Sequence, residues 1–187
     1  FSALTANAVG DQLTLVVRNA LGVERTVVLS AVEFALSPVQ NAQYLLTPSG
    51  RSIGYVMVKD MIDQGTTARA DLAQAFESFK TNNVQELVLD LRYNGGGLVS
   101  MAGRVASYAA GSRGSGQLFA RLLYNDQRAN ANNQDFYFGN PAAWAGFSKV
   151  YVLAGPRTCS ASEQVINGLR GVGVNVIAIG DTTCGKP

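Results

Sequence analysis

The run Glu86-Leu87-Val88-Leu89-Asp90-Leu91 passes without a break into Arg92-Tyr93-Asn94-Gly95-Gly96-Gly97-Leu98. A short, nearly continuous apolar stretch is the pattern of a strand buried on both faces, which is the habit of parallel sheets covered by helices. The glycines then open a helix over 98–109, with Leu98, Met101, Val105 and Tyr108 on one side. The same strand-then-helix order recurs on either side. Strand Ile53–Val58 precedes a helix over 66–82, where Leu72, Ala75, Phe76 and Phe79 fall at helical spacing. Strand Lys149–Leu153 precedes a helix over 160–170, and strand Asn175–Ile179 follows it. The order β-α-β-α-β-α-β predicts an α/β fold with a mostly parallel sheet and flanking helices.

Ahead of this core the pattern is β only. Leu13–Val17 and Val23–Leu29 flank Asn19-Ala20-Leu21-Gly22, which predicts a hairpin, and Val32–Leu36 is expected to add a third strand. A second hairpin joins Tyr44–Thr47 to Ile53–Val58 through Pro48-Ser49-Gly50-Arg51. Residues 111–148 read as mostly irregular, and the polar stretch from Arg128 to Gln134 reads as a mobile loop. The domain boundary is placed near residue 40. The chain opens at Phe1 without an initiator methionine and closes on Cys184-Gly185-Lys186-Pro187 just after a strand and a turn. We expect a piece of a longer protein whose targeting sequence lies upstream.

Composition excludes several classes of function. The 187 residues suit one domain, or a domain with part of another, and 47% apolar with 15% charged residues is globular. A net charge of +2 argues against nucleic acid or an anionic membrane as partner. No apolar run approaches the roughly 20 residues of a transmembrane helix, and no signal-peptide pattern opens the chain. Histidine is absent and there are two cysteines. The chain therefore cannot build a Ser-His-Asp triad, a Cys-His dyad or a zinc site of the usual kinds. No metal or cofactor is expected. A hydrolase with a side-chain nucleophile would need lysine or a carboxylate as its base.

Three segments can carry chemistry, and each has a plainer reading. Gly95-Gly96-Gly97 leaves backbone N–H groups open to an anion, a phosphate or an oxyanion, or else makes a tight βα turn. It does not meet the dinucleotide fingerprint G-x-G-x-x-G, since position 100 is Ser100. Thr158-Cys159-Ser160-Ala161-Ser162-Glu163 is an S-x-x-E capping box, or a serine nucleophile in the positive field of a helix start. Lys186, after the strand ending at Ile179, is a solvated charge or a general base. A base must be neutral, so its pKa would have to fall from about 10.4 by roughly 3 units, which burial can supply and exposure cannot. Pro187 biases Lys186 toward extended backbone. All three segments leave strand ends on one edge of the sheet, where α/β sites form.

These residues resemble the carboxyl-terminal processing (tail-specific) serine peptidases, family S41. LVLDLRYNGGGLV resembles the signature D-L-R-x-N-x-G-G, VYVLAGPRTCSASEQVINGL the strand and helix that bear the nucleophile, and VIAIGDTTCGKP the G-x-x-T-x-G-K lysine segment. The motifs stand in the right order over about residues 40–187. The resemblance implies a ClpP/crotonase-like α/β core over 41–187, cut short after the lysine, with residues 1–40 as the last strands of a PDZ-like domain. It implies Ser160 as nucleophile, Lys186 as general base and Glu163 as a supporting carboxylate. The oxyanion hole would come from the amides of Ala161 and one of Gly96 and Gly97. The implied activity is endoproteolysis near the C-termini of polypeptides, by an exported, periplasmic or membrane-anchored protein. In this fragment the activity is expected to be absent if the missing strands wall the lysine pocket.

Two departures from the pattern stand out. Cys159 and Cys184 replace small or aromatic residues, and the 26 positions from Ser160 to Lys186 are one more than the commonest spacing. If Ser160 and Lys186 meet, the α-carbons of their neighbours Cys159 and Cys184 fall in the range of about 4.4–6.8 Å that a disulfide needs. The alternatives are that the two side chains face apart, or that Cys184 pairs with a cysteine past Pro187. The competing function is a peptide-binding module on the same scaffold that does not cut. An anion or CoA-type ligand on the glycine turn is the third reading, carried by fold analogy.

Overall fold

A computed structural model describes residues 6–186. Phe1–Thr5 of the expected amino-terminal remnant, and Pro187 with its expected bias on Lys186, lie outside the described residues. The chain divides into two compact units, 1–35 and 36–187.

The first unit contains an antiparallel hairpin of β1 (Gln12–Arg18) and β2 (Glu24–Ser30), with Leu15 opposite Val27. Its turn is closed by the Asn19 side-chain oxygen, which accepts the N–H groups of Leu21 and Val23, each at 3.0 Å. The third strand expected at Val32–Leu36 does not form. After Ala31 the chain leaves the ladder, and Leu36 makes only a single bridge, to Thr66. β-branched residues favour a strand only where a partner edge is at hand.

The second unit is built on a five-stranded sheet. Its strands are β3 (Val39–Leu46), β4 (Ser52–Val58), β5 (Glu86–Asp90), β8 (Lys149–Ala154) and β9 (Asn175–Gly180), in that spatial order. β3 is antiparallel to β4, and every other pairing is parallel. The crossovers carry α1 (Ala68–Thr81), α2 (Val99–Ala110) and α4 (Ala161–Gly171). The expected α/β fold with a mostly parallel sheet is what the chain adopts.

Burial departs from expectation in one respect. Along β4 and β8 it alternates: Gly54, Val56 and Val58, then Val150, Val152 and Ala154, are buried, while Tyr55, Met57, Tyr151 and Leu153 are half-buried. Crossover direction supplies the reason. The steps from β4 to β5, β5 to β8 and β8 to β9 all run the same way across the sheet, so right-handed crossovers put all three helices on one face. The helices accordingly touch in series, with Phe76 of α1 4.8 Å from Tyr108 of α2 between ring centroids, and α2 packed on α4. Phe76 and Phe79 meet Phe147 and Trp144 edge-on in the core beneath α1.

Residues 111–148 are more ordered than their composition predicts. A 3-10 turn (Gly111–Arg113) leads into a further hairpin of β6 (Leu118–Leu122) and β7 (Gln134–Tyr137), joined through a helical turn, α3 (Ala129–Asn132). The stretch expected to be a mobile loop is held by its own polar groups. Asn133 Oδ1 accepts the Tyr124 N–H at 2.8 Å, and the Asn125 carbonyl accepts the N–H groups of Arg128 and Ala129. Side chains that compete with the backbone in a long helix are well suited to closing a turn. Among the described residues no helix is long and apolar enough to cross a membrane.

Candidate active site

Parallel strands bring the carboxyl ends of β5, β8 and β9 to one edge, and the three sequence segments meet there. Register sets their level: Asp90 of β5 stands opposite Leu153 of β8, which stands opposite Ile179 of β9.

Asn94 joins the pieces. Its side chain is fully buried, with Nδ2 donating to the Val58 carbonyl at 2.9 Å and Oδ1 accepting the Gly96 N–H at 2.9 Å. Its own carbonyl accepts the Cys159 N–H (3.2 Å) and the Ser162 hydroxyl (3.1 Å). One residue thus ties β4, the glycine turn and the start of α4, at a buried position where every polar atom needs a partner. The family signature includes Asn94 but assigns it no such place. An asparagine between a strand and a glycine turn was the only signal.

Two of the glycines are required by close approach. Gly96 and Gly97 have φ of +102° and +130°. A Cβ on Gly96 would stand 2.8 Å from the Cys159 carbonyl oxygen and 2.9 Å from Ser160 Cβ, and one on Gly97 would stand 2.5 Å from the Met61 carbonyl oxygen. Of the two glycine amides expected as alternatives beside that of Ala161, that of Gly96 is already spent on Asn94. Gly97 is exposed, and neither its N–H nor that of Ala161 meets an acceptor among the described residues.

Ser160 begins α4 with φ +56° and ψ −119°. Helix caps ordinarily sit in the β region, so a plain capping serine does not account for this backbone. It is a conformation that costs an L-residue about 1–3 kcal/mol and gathers at functional turns. Glu163 completes its half of the capping box, with Oε2 accepting the Ser160 N–H at 2.7 Å.

Glu163 does more than cap. Oε1 accepts the Thr183 hydroxyl (2.7 Å) and the Gly185 N–H (2.8 Å), and Oε2 also accepts the Lys186 N–H at 3.0 Å. Burial pushes this carboxyl up, but the Thr183 hydroxyl and the three backbone N–H groups outweigh burial and hold it below the ordinary glutamate value. The glutamate therefore fastens the main chain of the lysine segment to the main chain of the serine. The Lys186 side chain is exposed, and no hydrogen bond joins it to the Ser160 hydroxyl among the described residues.

Cys159 and Cys184 form a disulfide with α-carbons 5.2 Å apart, so the facing-apart alternative and an external partner both fall away. The Cys184 N–H also donates to the Thr158 carbonyl at 3.0 Å. The two sulfurs and the Glu163 carboxylate gather within 4.8 Å, but bridged sulfurs offer no thiolate to a metal. Further back, Asp90 is buried against Arg92 and the Tyr55 hydroxyl (2.8 Å). Burial raises the Asp90 carboxyl, and the hydrogen bonds from Arg92 and Tyr55 bring it down past its ordinary value.

This chain belongs to Peptidase family S41, whose sequence profile matches residues 52–187. Its fold is shared with solved structures. One is an S41-classed protein from Bacteroides fragilis NCTC 9343, 31% identical over 94% of this chain and 48% of that one, with a TM-score of 0.72. Another is the photosystem II D1 C-terminal processing protease, 25% identical over 95% of this chain and 45% of that one, with a TM-score of 0.60. Our chain spans about half the length of the solved proteins it matches. No curated protein matches it.

Proposed function

We propose that this chain carries the Ser/Lys site of a serine endopeptidase that cleaves polypeptides near their C-termini. The observation that carries this reading is the backbone of Ser160, strained at φ +56° between the glycine turn and the head of α4.

In this reading the Ser160 Oγ attacks the scissile carbonyl carbon and its proton passes to a neutral Lys186 Nζ. The carbonyl oxygen becomes an oxyanion that accepts from the amides of Gly97 and Ala161. Collapse breaks the C–N bond, the leaving amine takes the proton from Lys186, and the acyl group stays on Ser160. Water then attacks the ester carbon and gives a proton to Lys186; collapse breaks the Ser160 Oγ–C bond, Lys186 returns the proton to Oγ, and the new carboxylic acid leaves. Glu163 acts as a positioning residue on the two backbones. The Cys159–Cys184 bridge is in keeping with an oxidising compartment, and export to the periplasm belongs to the same proposal.

The exposed side chain of Lys186 favours a second reading, a module that binds peptides on this scaffold without cutting them. One assay separates the two. The complete protein is incubated with an unstructured polypeptide beside its Ser160→Ala variant. Cleavage by the first alone supports the peptidase, equal cleavage by both removes Ser160 from the mechanism, and binding without cleavage by either supports the module.

A further inference from the structure

A cleft of about 420 Å³ opens along α2, between that helix and the β7 hairpin, and nothing in the chemistry above uses it. Its walls include Ser100, Arg104, Ser107, Phe136, Tyr137 and Asn140. Among the described residues no carboxylate lines it. Arg104 is half-buried there, and among the described residues it has neither an ion pair nor a hydrogen bond. Arg25, Arg128, Arg157 and Arg170 also lack a partner among the described residues, but each of them is exposed, whereas Arg104 is half-buried.

The remaining polar groups point to the same kind of ligand. The Ser107 hydroxyl is spent, donating to the Gly103 carbonyl and accepting the Gly139 N–H. Asn140 Oδ1 accepts the Trp144 N–H, which leaves its amide donors for the cleft. A guanidinium, an amide N–H₂ and the Ser100 hydroxyl are donors awaiting an acceptor, and the flat fork of arginine matches a carboxylate.

Position connects the cleft to the strained serine. Arg104 stands five residues into α2 from Val99, so about 7.5 Å along an axis that starts at the glycine turn. An extended peptide advances about 3.3 Å per residue, so a chain held at that turn reaches Arg104 within roughly two to three residues.

We propose that this cleft is a specificity site in which Arg104 binds a carboxylate of the bound polypeptide, with Ser100 and Asn140 as supporting donors. The carboxylate belongs either to an acidic side chain or to the peptide's own C-terminus. The inference rests on the peptidase reading for its choice of a polypeptide as ligand.

The test measures binding on the Ser160→Ala chain, so that turnover plays no part. Four acetylated alanine pentapeptides are titrated by two-dimensional NMR, with a central Glu or Gln and with a free C-terminal carboxylate or an amide. Arg104 is expected to give about a tenfold lower Kd for the carboxylate member of one pair, and that pair identifies the source. Arg104→Gln should bring the ratio to about one, and Arg104→Lys should keep part of it. Equal affinities within both pairs, no binding by any peptide, or a preference undiminished in Arg104→Gln overturns the proposal. Failure of the peptidase reading is seen separately. Cleavage by Ser160→Ala would unseat that reading without altering these Kd ratios.

Discussion

Glu163 Oε2, which accepts the Ser160 N–H, also accepts the N–H of Lys186 at 3.0 Å, so one carboxylate oxygen holds the main chains of the two residues assigned to the dyad. It grips the backbone of the lysine and, among the described residues, makes no hydrogen bond to its side chain.

Glu163→Gln should therefore loosen the lysine segment while α4 stays folded. A carboxamide accepts through one oxygen where the carboxylate accepts through two, so at least two of the four donors lose their acceptor. We expect kcat to fall on the order of 10-fold to 100-fold, the usual cost of small misplacements, with the far-ultraviolet circular dichroism unchanged. Undiminished kcat would remove Glu163 from the assembly of the site.

The same carboxylate makes a pH prediction. Its folded pKa lies below the ordinary value of 4.5, so its contribution to stability is complete above about that pH and is lost as pH falls through the folded value. Urea midpoints of the wild type should drop on acidification below about pH 4.5, and more steeply than those of Glu163→Gln. Parallel curves for the two proteins would show that Glu163 takes no part. Asp90 shifts in the same direction and adds to the decline in both.

Ser160 offers a contrast between two inactive variants. At φ +56° alanine keeps the strain and glycine releases it. Both lose the hydroxyl, but Ser160→Gly should be more stable than Ser160→Ala by about 1 kcal/mol in urea unfolding. An alanine variant equal to or more stable than the glycine one would mean that the turn is unstrained.

The disulfide spans a sequence separation of 25. By the loop-entropy account it stabilises by about 3 kcal/mol, so a reductant, or the double change Cys159→Ser and Cys184→Ser, should lower the melting temperature by several degrees. Identical melting with and without reductant would show that the bridge adds nothing to the native state.

Lys186→Arg keeps a long basic side chain but cannot release a proton near neutral pH. In the complete protein it should be as inactive as Lys186→Ala, with folding intact in both because the side chain is exposed. Turnover by the arginine variant would take lysine out of the proton transfer.

The sheet and its helices were legible because periodicity reports the strands and helices that bury one face, as with Leu72, Phe76 and Phe79 on α1. The coverage of the sheet was not. Whether Tyr55 and Tyr151 face a second layer depends on crossover direction, which no local pattern records. The hairpin at 118–137 was missed because its strands are short and its connection is rich in asparagine, a composition shared with disordered loops, although the Asn133 side chain and the Asn125 carbonyl help to close it. At the candidate site, Ser160, Lys186, Glu163 and the glycines were expectations carried by the resemblance to the family, since each segment by itself also reads as a cap, a turn or a solvated charge. What Glu163 grips and what Asn94 ties together are hydrogen-bond assignments across long sequence separations, and those exist only once the strands align.

Among the described residues β9 is an edge strand, paired along one side only, and it carries the lysine segment to the serine. A slip of one residue against β8 would carry Gly180 about 3.3 Å along the sheet and turn Ile177 and Ile179 to the opposite side. Neither the bridge to Cys159 nor the grip of Glu163 tolerates such a step. The two cross-links thus act as a register pin: a chain that folds with β9 out of step closes neither, and it is left without a site instead of with one of altered preference.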